Sequence, residues 1–383
     1  MVRRSIALPS ALGLALSSFS SFAGCEGSLT SSARGADASR PPADDAWAPP
    51  GTDAWTAERD DTGVATDAGP SIDAYAPTSP CATVMCGANQ RCDEATRACV
   101  CLPGFVADGS GCSAAPAGDP STRTMAEVCD GWRDMHEHTA SASWTPGAGD
   151  CDPGSMPRDA IDDTLRRVNG FRWMVGLGPV VDDPSVHARQ QACAVMMYRN
   201  GSLDHMPPNT WRCYTPEGAA GAGSSNLAIG TASSADTIDL YIDDYGVPSL
   251  GHRRWVLNGP LGRVGIGFAG NAGCLGVFDR SSSTDRRWTA WPPPGFVPSE
   301  TTGAWWSFHS DHGRVADATV RMVRASDGAD VTGTVHRLLE GYGIVSAVAW
   351  EPTERTVGQR YRVTVTSTTI GEISYEVEIV SCR

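Results

Sequence analysis

The chain has 383 residues, with 44 acidic and 30 basic side chains and a net charge of −14. Its basic residues other than histidine are all arginine, which excludes lysine-dependent catalysis. The acidity argues against a nucleic-acid partner, which needs basic patches to meet its phosphates.

At the start, Arg3 and Arg4 precede a mostly apolar stretch from Ile6 to Ala23, which runs into Gly24-Cys25. This is the pattern of a signal peptide over residues 1–24, cut before a thiol that takes lipid. The expectation is lipidation at Cys25 and a cell-envelope lipoprotein at an outer surface or outside the cell, its anchor in a membrane. A proline and several serines make the apolar stretch a poor permanent span. Residues 25–80 have the composition of an acidic, disordered linker, rich in Ala, Asp, Pro, Ser, Thr and Gly. Its expected role is reach.

Six of the 13 cysteines, Cys81, Cys86, Cys92, Cys99, Cys101 and Cys112, crowd into one segment. That segment is too short to bury a core, so disulfides must stabilise it. Zinc knuckles would need paired Cys-x-x-Cys units, which do not occur there. Cys99-Val100-Cys101 followed by Pro103-Gly104-Phe105 resembles an EGF-like module over 81–112. The resemblance implies pairs Cys81–Cys92, Cys86–Cys99 and Cys101–Cys112, and a spacer or contact role toward protein partners. Pro77-Thr78-Ser79-Pro80 stands where calcium-binding modules carry acids, so no calcium is expected. For the later six cysteines, short loops favour Cys129–Cys151 and Cys193–Cys213, leaving Cys274–Cys382.

Helical signals follow. Ile161, Leu165 and Val168 keep a helical period between Asp159 and Gly176. Asp183 and Pro184 start a second helix as cap and first-turn residue, and Asn200-Gly201 ends it. A third runs from about Ser234 to Tyr245. Val264, Ile266 and Phe268 then alternate with glycines, and Gly270-Asn271 separates them from Leu275 and Val277, a hairpin pattern.

Two histidines flank this region. His205 follows the second helix within Leu203-Asp204-His205-Met206-Pro207, and His252 lies in Gly251-His252-Arg253-Arg254-Trp255 after the third. With Asn169-Gly170-Phe171-Arg172 and Ser224-Ser225-Asn226-Leu227-Ala228, the order resembles the CAP superfamily, in its bacterial branch. The family comprises cysteine-rich secretory proteins, insect antigen 5 and plant pathogenesis-related proteins. The resemblance implies an extracellular three-layer α-β-α sandwich, with two histidines and two glutamates in one cleft. Here Ser225 holds the first glutamate position, and Asp243 or Asp244 falls near the second. Two imidazoles and one carboxylate would hold zinc only weakly. Arg253 and Arg254 offer guanidiniums to an anion or, more commonly, to surface aspartates.

The stretch Trp288 to Trp306, with Pro292-Pro293-Pro294, reads as an extended strap over the CAP core. After His312, Tyr361, Val363 and Val365, then Ile373, Tyr375, Val377 and Ile379, alternate with polar residues, the pattern of half-buried strands. The expected fold class is α+β: an EGF-like module at 81–112, a CAP domain at 117–312 and an Ig-like β-sandwich at 313–383. The expected function is a surface-tethered protein binding a lipid, sterol, glycan or peptide between His205 and His252, with Ser225, Asp243 and Asp244 nearby. The alternative is a metal-assisted hydrolase or peptidase using the two histidines. No cofactor is firmly expected beyond weak zinc at that pair.

Overall fold

The computed structural model describes residues 81–383 apart from 82, 88, 94, 95, 102, 103 and 110. The signal peptide, the linker and the lipidation site at Cys25 lie outside the described residues. The first module is two small hairpins. Strand β1 (Gln90–Cys92) pairs with β2 (Cys99–Cys101), and β3 (Phe105–Asp108) with β4 (Gly111–Ala114). Disulfides join Cys81 to Cys92, Cys86 to Cys99 and Cys101 to Cys112. Gly104 seats the module on the next domain. Its φ is +84°, and a Cβ there would fall 2.7 Å from the Pro179 side chain. Only glycine fits both the backbone and the space.

The second domain opens with α1 (Met125–Met135), started by a reciprocal capping box between Thr124 and Glu127. Helix α2 (Arg158–Met174) follows, then the two-residue β5 (Val181–Asp182). Helix α3 (Pro184–Asn200) is capped by Asp183 and closed by Gly201 in the left-handed region, φ 57°. Next come α4 (Pro216–Ala222), β6 (Ser225–Ile229), α5 (Asp236–Asp243) and α6 (Gly251–Val256). The hairpin of β7 (Arg263–Ala269) and β8 (Ala272–Gly276) completes a sheet of order β5–β7–β8–β6.

Alternation on this hairpin sets the layers. Gly265, Gly267 and Gly276 turn toward α3, and a Cβ on Gly267 would lie 2.1 Å from the Gln190 carbonyl oxygen. The glycines thus make a flat floor that lets helix backbone approach strand backbone. Val264, Ile266 and Leu275 point the other way, into a core shared with Leu165, Val168, Ile238 and Val256. Helices therefore cover both faces of the sheet, giving three layers. Helix α2 is buried on nearly every side, charges included. Each charge has a partner: Asp162 accepts from Arg158 at 2.6 Å, and Arg166 donates to Asp163 at 2.8 Å. Burial works against ionising Asp163, but the amides of Thr139 and Ala140 and the Thr139 hydroxyl outweigh it, holding its carboxyl below the usual range.

The remaining strands are β9 (Thr289–Trp291), β10 (Gly295–Pro298), β11 (Trp306–Ser310), β12 (Thr319–Arg324), β13 (Thr334–Arg337), β14 (Ser346–Glu351), β15 (Arg360–Ser367) and β16 (Gly371–Val380). They form two four-stranded sheets, β10–β16–β15–β12 and β13–β14–β11–β9. Trp306, Phe308 and Trp350 from one sheet and Tyr361, Val363 and Val377 from the other share one core. The boundary expected at residue 313 is corrected by this: the stretch 288–306, expected as a strap, supplies β9, β10 and the start of β11. The two strands around Pro292–Pro294 span three and four residues, too few to display a two-residue period.

Three expected disulfides are also corrected. In place of Cys129–Cys151, Cys193–Cys213 and Cys274–Cys382, the chain joins Cys129 to Cys382, Cys151 to Cys213 and Cys193 to Cys274. Loop length was a poor guide because closure entropy grows only slowly with it. Contact geometry decides instead. Cys193 faces Cys274 where α3 crosses β8, and Cys129 on α1 lies 5.0 Å, Cα to Cα, from Cys382 just past β16. Replacing both Cys129 and Cys382 by Ser should cost about 2–5 kcal/mol of unfolding free energy in a urea titration. A Cys129–Cys151 peptide in a non-reducing digest would contradict the assignment.

Candidate functional site

The chain reaches His205 by ending α3 at Gly201 and turning back toward α4. The His205 ring is 4% exposed, with Nδ1 at 2.9 Å from the Ala222 carbonyl oxygen. His252, the second residue of α6, is 2% exposed. Its Nδ1 meets Asp244 Oδ1 at 2.8 Å. A carbonyl or carboxylate only accepts, so Nδ1 is the donor in both rings, and a neutral ring then carries its lone pair on Nε2. His252 Nε2 is buried and has no hydrogen-bond partner among the described residues.

Both histidines are tied to the short stretch between α4 and the start of β6. His205 bonds Ala222, and the His252 carbonyl accepts from Asn226 Nδ2 at 3.0 Å. Tyr241 Oη donates to the Asn226 carbonyl at 3.0 Å, and its ring lies 5.3 Å from the His252 ring. Neither histidine lines any of the five described cavities. Both are buried rather than set in an open cleft.

The two candidate carboxylates part company. Asp244 is buried and ends α5 in the left-handed region, φ 51°. There its Oδ1 holds His252, and its Oδ2 accepts the Arg253 backbone amide at 3.1 Å. Asp243 is half-buried and turns toward a separate cavity with Trp132, His136 and Glu300. Burial pushes its carboxyl up, and Asp244 adds to this against Arg253 and Arg355. Ser225 is buried, its hydroxyl 2.6 Å from Gln190 Oε1 and 2.7 Å from the Gly221 carbonyl. Its hydroxyl is committed to those oxygens and not to an imidazole. Among the described residues no group of three or more His, Cys, Asp or Glu is placed to hold a metal. The donors do not fit a closed or catalytic zinc site, which needs at least three protein ligands.

Arg253 and Arg254 depart from expectation most. Both are fully buried, where the expectation had put them at the surface. The Arg253 guanidinium donates to the carbonyls of Ile242, Asp243 and Trp305 and to Ser307 Oγ, at 2.6 to 2.9 Å. Arg254 donates to the carbonyls of Ser249, Leu339, Ile344 and Val345. Arg172 serves Gly178, Val256, Asn258 and Leu261 in the same way. Burial pushes Arg172 down to about 9 and Arg253 down to about 10, so both remain charged at neutral pH. The signal for this was present: two arginines stand between Leu250 and Trp255-Val256-Leu257, where a surface charge would be out of place.

Residues 165–278 match the family model described as CAP, Cysteine-rich secretory protein family. This segment carries a CAP-type domain. The match runs from α2 to just past β8 and includes His205, Ser225, Asp243, Asp244 and His252. No curated protein matches the chain.

The CAP-type domain thus centres on an α6 that is bonded rather than open. Arg253→Met should destabilise by about 3–5 kcal/mol in urea unfolding, since it strands three carbonyls and a hydroxyl in the interior. Arg253→Lys should rescue little of this, because an ammonium lacks the planar fork. A loss below about 1 kcal/mol for both would show that these bonds contribute little.

Proposed function

We propose that this chain is an extracytoplasmic CAP-domain protein that binds a small ligand and catalyses no reaction of its own. The observation that carries the reading is the donor set at the two histidines: each Nδ1 is already committed, Asp243 faces elsewhere, and Ser225 is bonded to Gln190 and Gly221. Six disulfides fit an oxidising compartment. Among the described residues no helix is long and apolar enough to cross a membrane. The tether belongs to this proposal: a lipid on Cys25 and an acidic linker holding the folded part away from the surface. Mass spectrometry of the mature chain should find a diacylglyceryl group there, and an unmodified N-terminus elsewhere would remove the tether.

The flanking domains fit contact roles. The pairing order in the first module, first to third, second to fourth and fifth to sixth, supports an EGF-like reading. Strand order supports an Ig-like reading of the last domain. Taken as A, A′, B, C, D, E, F and G, β9 to β16 give A–B–E–D on one sheet and A′–G–F–C on the other. The ligand of the CAP-type domain is proposed as a lipid-like molecule, sterol, glycan or peptide.

One observation favours the metal-assisted hydrolase as a second reading. The Asp244–His252 pair fixes the imidazole as metal-binding histidines are fixed, leaving Nε2 as the ligating atom. Zinc titrated into the full chain decides between them. The binding reading expects weak zinc, weaker still in acid as the imidazoles protonate, and no peptidase turnover. Stoichiometric zinc that survives dialysis against a chelator, lost in His205→Ala and His252→Ala, would revive the hydrolase reading, and peptide turnover lost in the same variants would establish it.

A further inference from the structure

The largest described cavity, about 630 Å³, lies beside the last hairpin of the chain, and neither histidine of the pair lines it. Its walls come from three places: residues 119–121 after the first module, residues 286–288 after the CAP-type domain, and β16 with the turn before it. Part of the lining is apolar. Trp288 is half-buried and held in place, stacked on Phe308 at 5.1 Å with 21° between planes and tilted against Tyr375 at 5.4 Å. Ile370 and Ile373, both half-buried, add aliphatic surface.

The charges around this apolar surface do not cancel. Two carboxylates line the cavity, and each is already engaged. Asp119 accepts the Ser121 amide at 3.0 Å and lies 3.9 Å from Arg286. Glu376 accepts two bonds from Arg362, at 2.8 and 3.2 Å, and lies 3.7 Å from Arg360. Arg286 is engaged in turn, since its guanidinium also donates to the carbonyls of Gly176 and Gly118.

Arg287 is left over. It lines the cavity and is exposed, and its guanidinium has no hydrogen bond or ion pair among the described residues. His312, also exposed, lines the cavity too and adds a ring N–H. A cation would therefore meet Arg287 with only engaged carboxylates to offset it, and a neutral molecule would gain nothing from the guanidinium. An anion gains from both donors, and a guanidinium offers a carboxylate two parallel N–H bonds. The net charge of −14 disfavours anions over the surface as a whole, so an anion held here is held by these local groups.

We propose that this cavity is a second binding site, distinct from the histidine pair, for a small amphipathic anion. Its apolar body packs against Trp288, Ile370 and Ile373, and its carboxylate or sulfonate meets Arg287 and His312. The cavity falls within the roughly 300–1,000 Å³ of small-molecule sites, which pair a mostly apolar lining with a few placed polar groups.

Decanoate below its micelle concentration and naphthalene-2-sulfonate, titrated into the full chain with calorimetry and tryptophan fluorescence as readouts, test it. At least one should bind saturably and change the fluorescence. Decyltrimethylammonium and decyl maltoside share the ten-carbon chain without the negative charge, and should bind more weakly by about tenfold. Arg287→Gln should weaken the anion about threefold to fivefold, the loss of one exposed charge pair. Arg287→Glu should cost more, on the order of tenfold, because repulsion replaces attraction. Ser374→Trp, at an exposed position of the lining, should abolish binding by filling the cavity. Both positions are exposed, and circular dichroism checks that the variants fold. Absence of saturable binding by both anions at millimolar concentration overturns the proposal. So does equal binding of the cationic or neutral amphiphile, anion binding that the folded variants leave unchanged, or binding to phosphatidylglycerol vesicles alone.

Discussion

Two adjacent guanidiniums in the interior set the terms for the rest of this molecule. A buried arginine keeps its charge, so its donors must be met by fixed acceptors. Arg253 and Arg254 find theirs in backbone carbonyls on opposite sides of α6. Those of Ile242 and Asp243 belong to the end of α5, while those of Trp305, Leu339, Ile344 and Val345 belong to the last domain. Helix C-terminal carbonyls lack partners within their own helix. Arg253 supplies them through Nε and Nη2 while its Nη1 reaches the last domain, so one guanidinium joins the two hydrophobic cores. The cores also interlock directly, since Trp291 of β9 and Ile344 pack within the larger cluster of the CAP-type domain.

The environment of the histidine pair follows from this. Arg253 pulls the end of α5 and the start of α6 together, and that closure places Asp244 against His252 and against the Arg253 amide. His252 is buried because its neighbours in sequence are committed to the interior on both sides. The positive field reaches further: burial, with Arg253 and Arg254 nearby, pushes His309 on β11 well below its ordinary value. A domain arranged this way has its second histidine built into a seam.

Much of the fold was legible in the residues. The caps at Asp183 and Gly201 bounded α3 within a residue, and the alternation of Val264, Ile266 and Phe268 around glycines marked the hairpin and its two faces. Three things were hidden. Nothing in the sequence showed that charged residues of α2, such as Asp163 and Arg166, are buried, which pairing with one another and with loop amides allows. Cysteine partners followed three-dimensional proximity across hundreds of residues, as with Cys129 and Cys382, which no spacing rule contains. The start of the last domain was masked by Pro292–Pro294, which keep the strands beside them short. At the candidate site, the sequence supplied the residue types, but whether Asp243 or Asp244 meets His252 depended on how α5 ends. Asp244 takes the left-handed turn, and that single backbone choice points its carboxylate at the ring.

The central claim is that the buried arginines make the CAP-type domain and the last β-domain one cooperative body. Differential scanning calorimetry of the full chain tests it directly. One endotherm is predicted, with calorimetric and van't Hoff enthalpies that agree across the two domains. Two resolved endotherms, or a calorimetric enthalpy close to twice the van't Hoff value, would show that the domains unfold independently and that the arginine seam does not couple them.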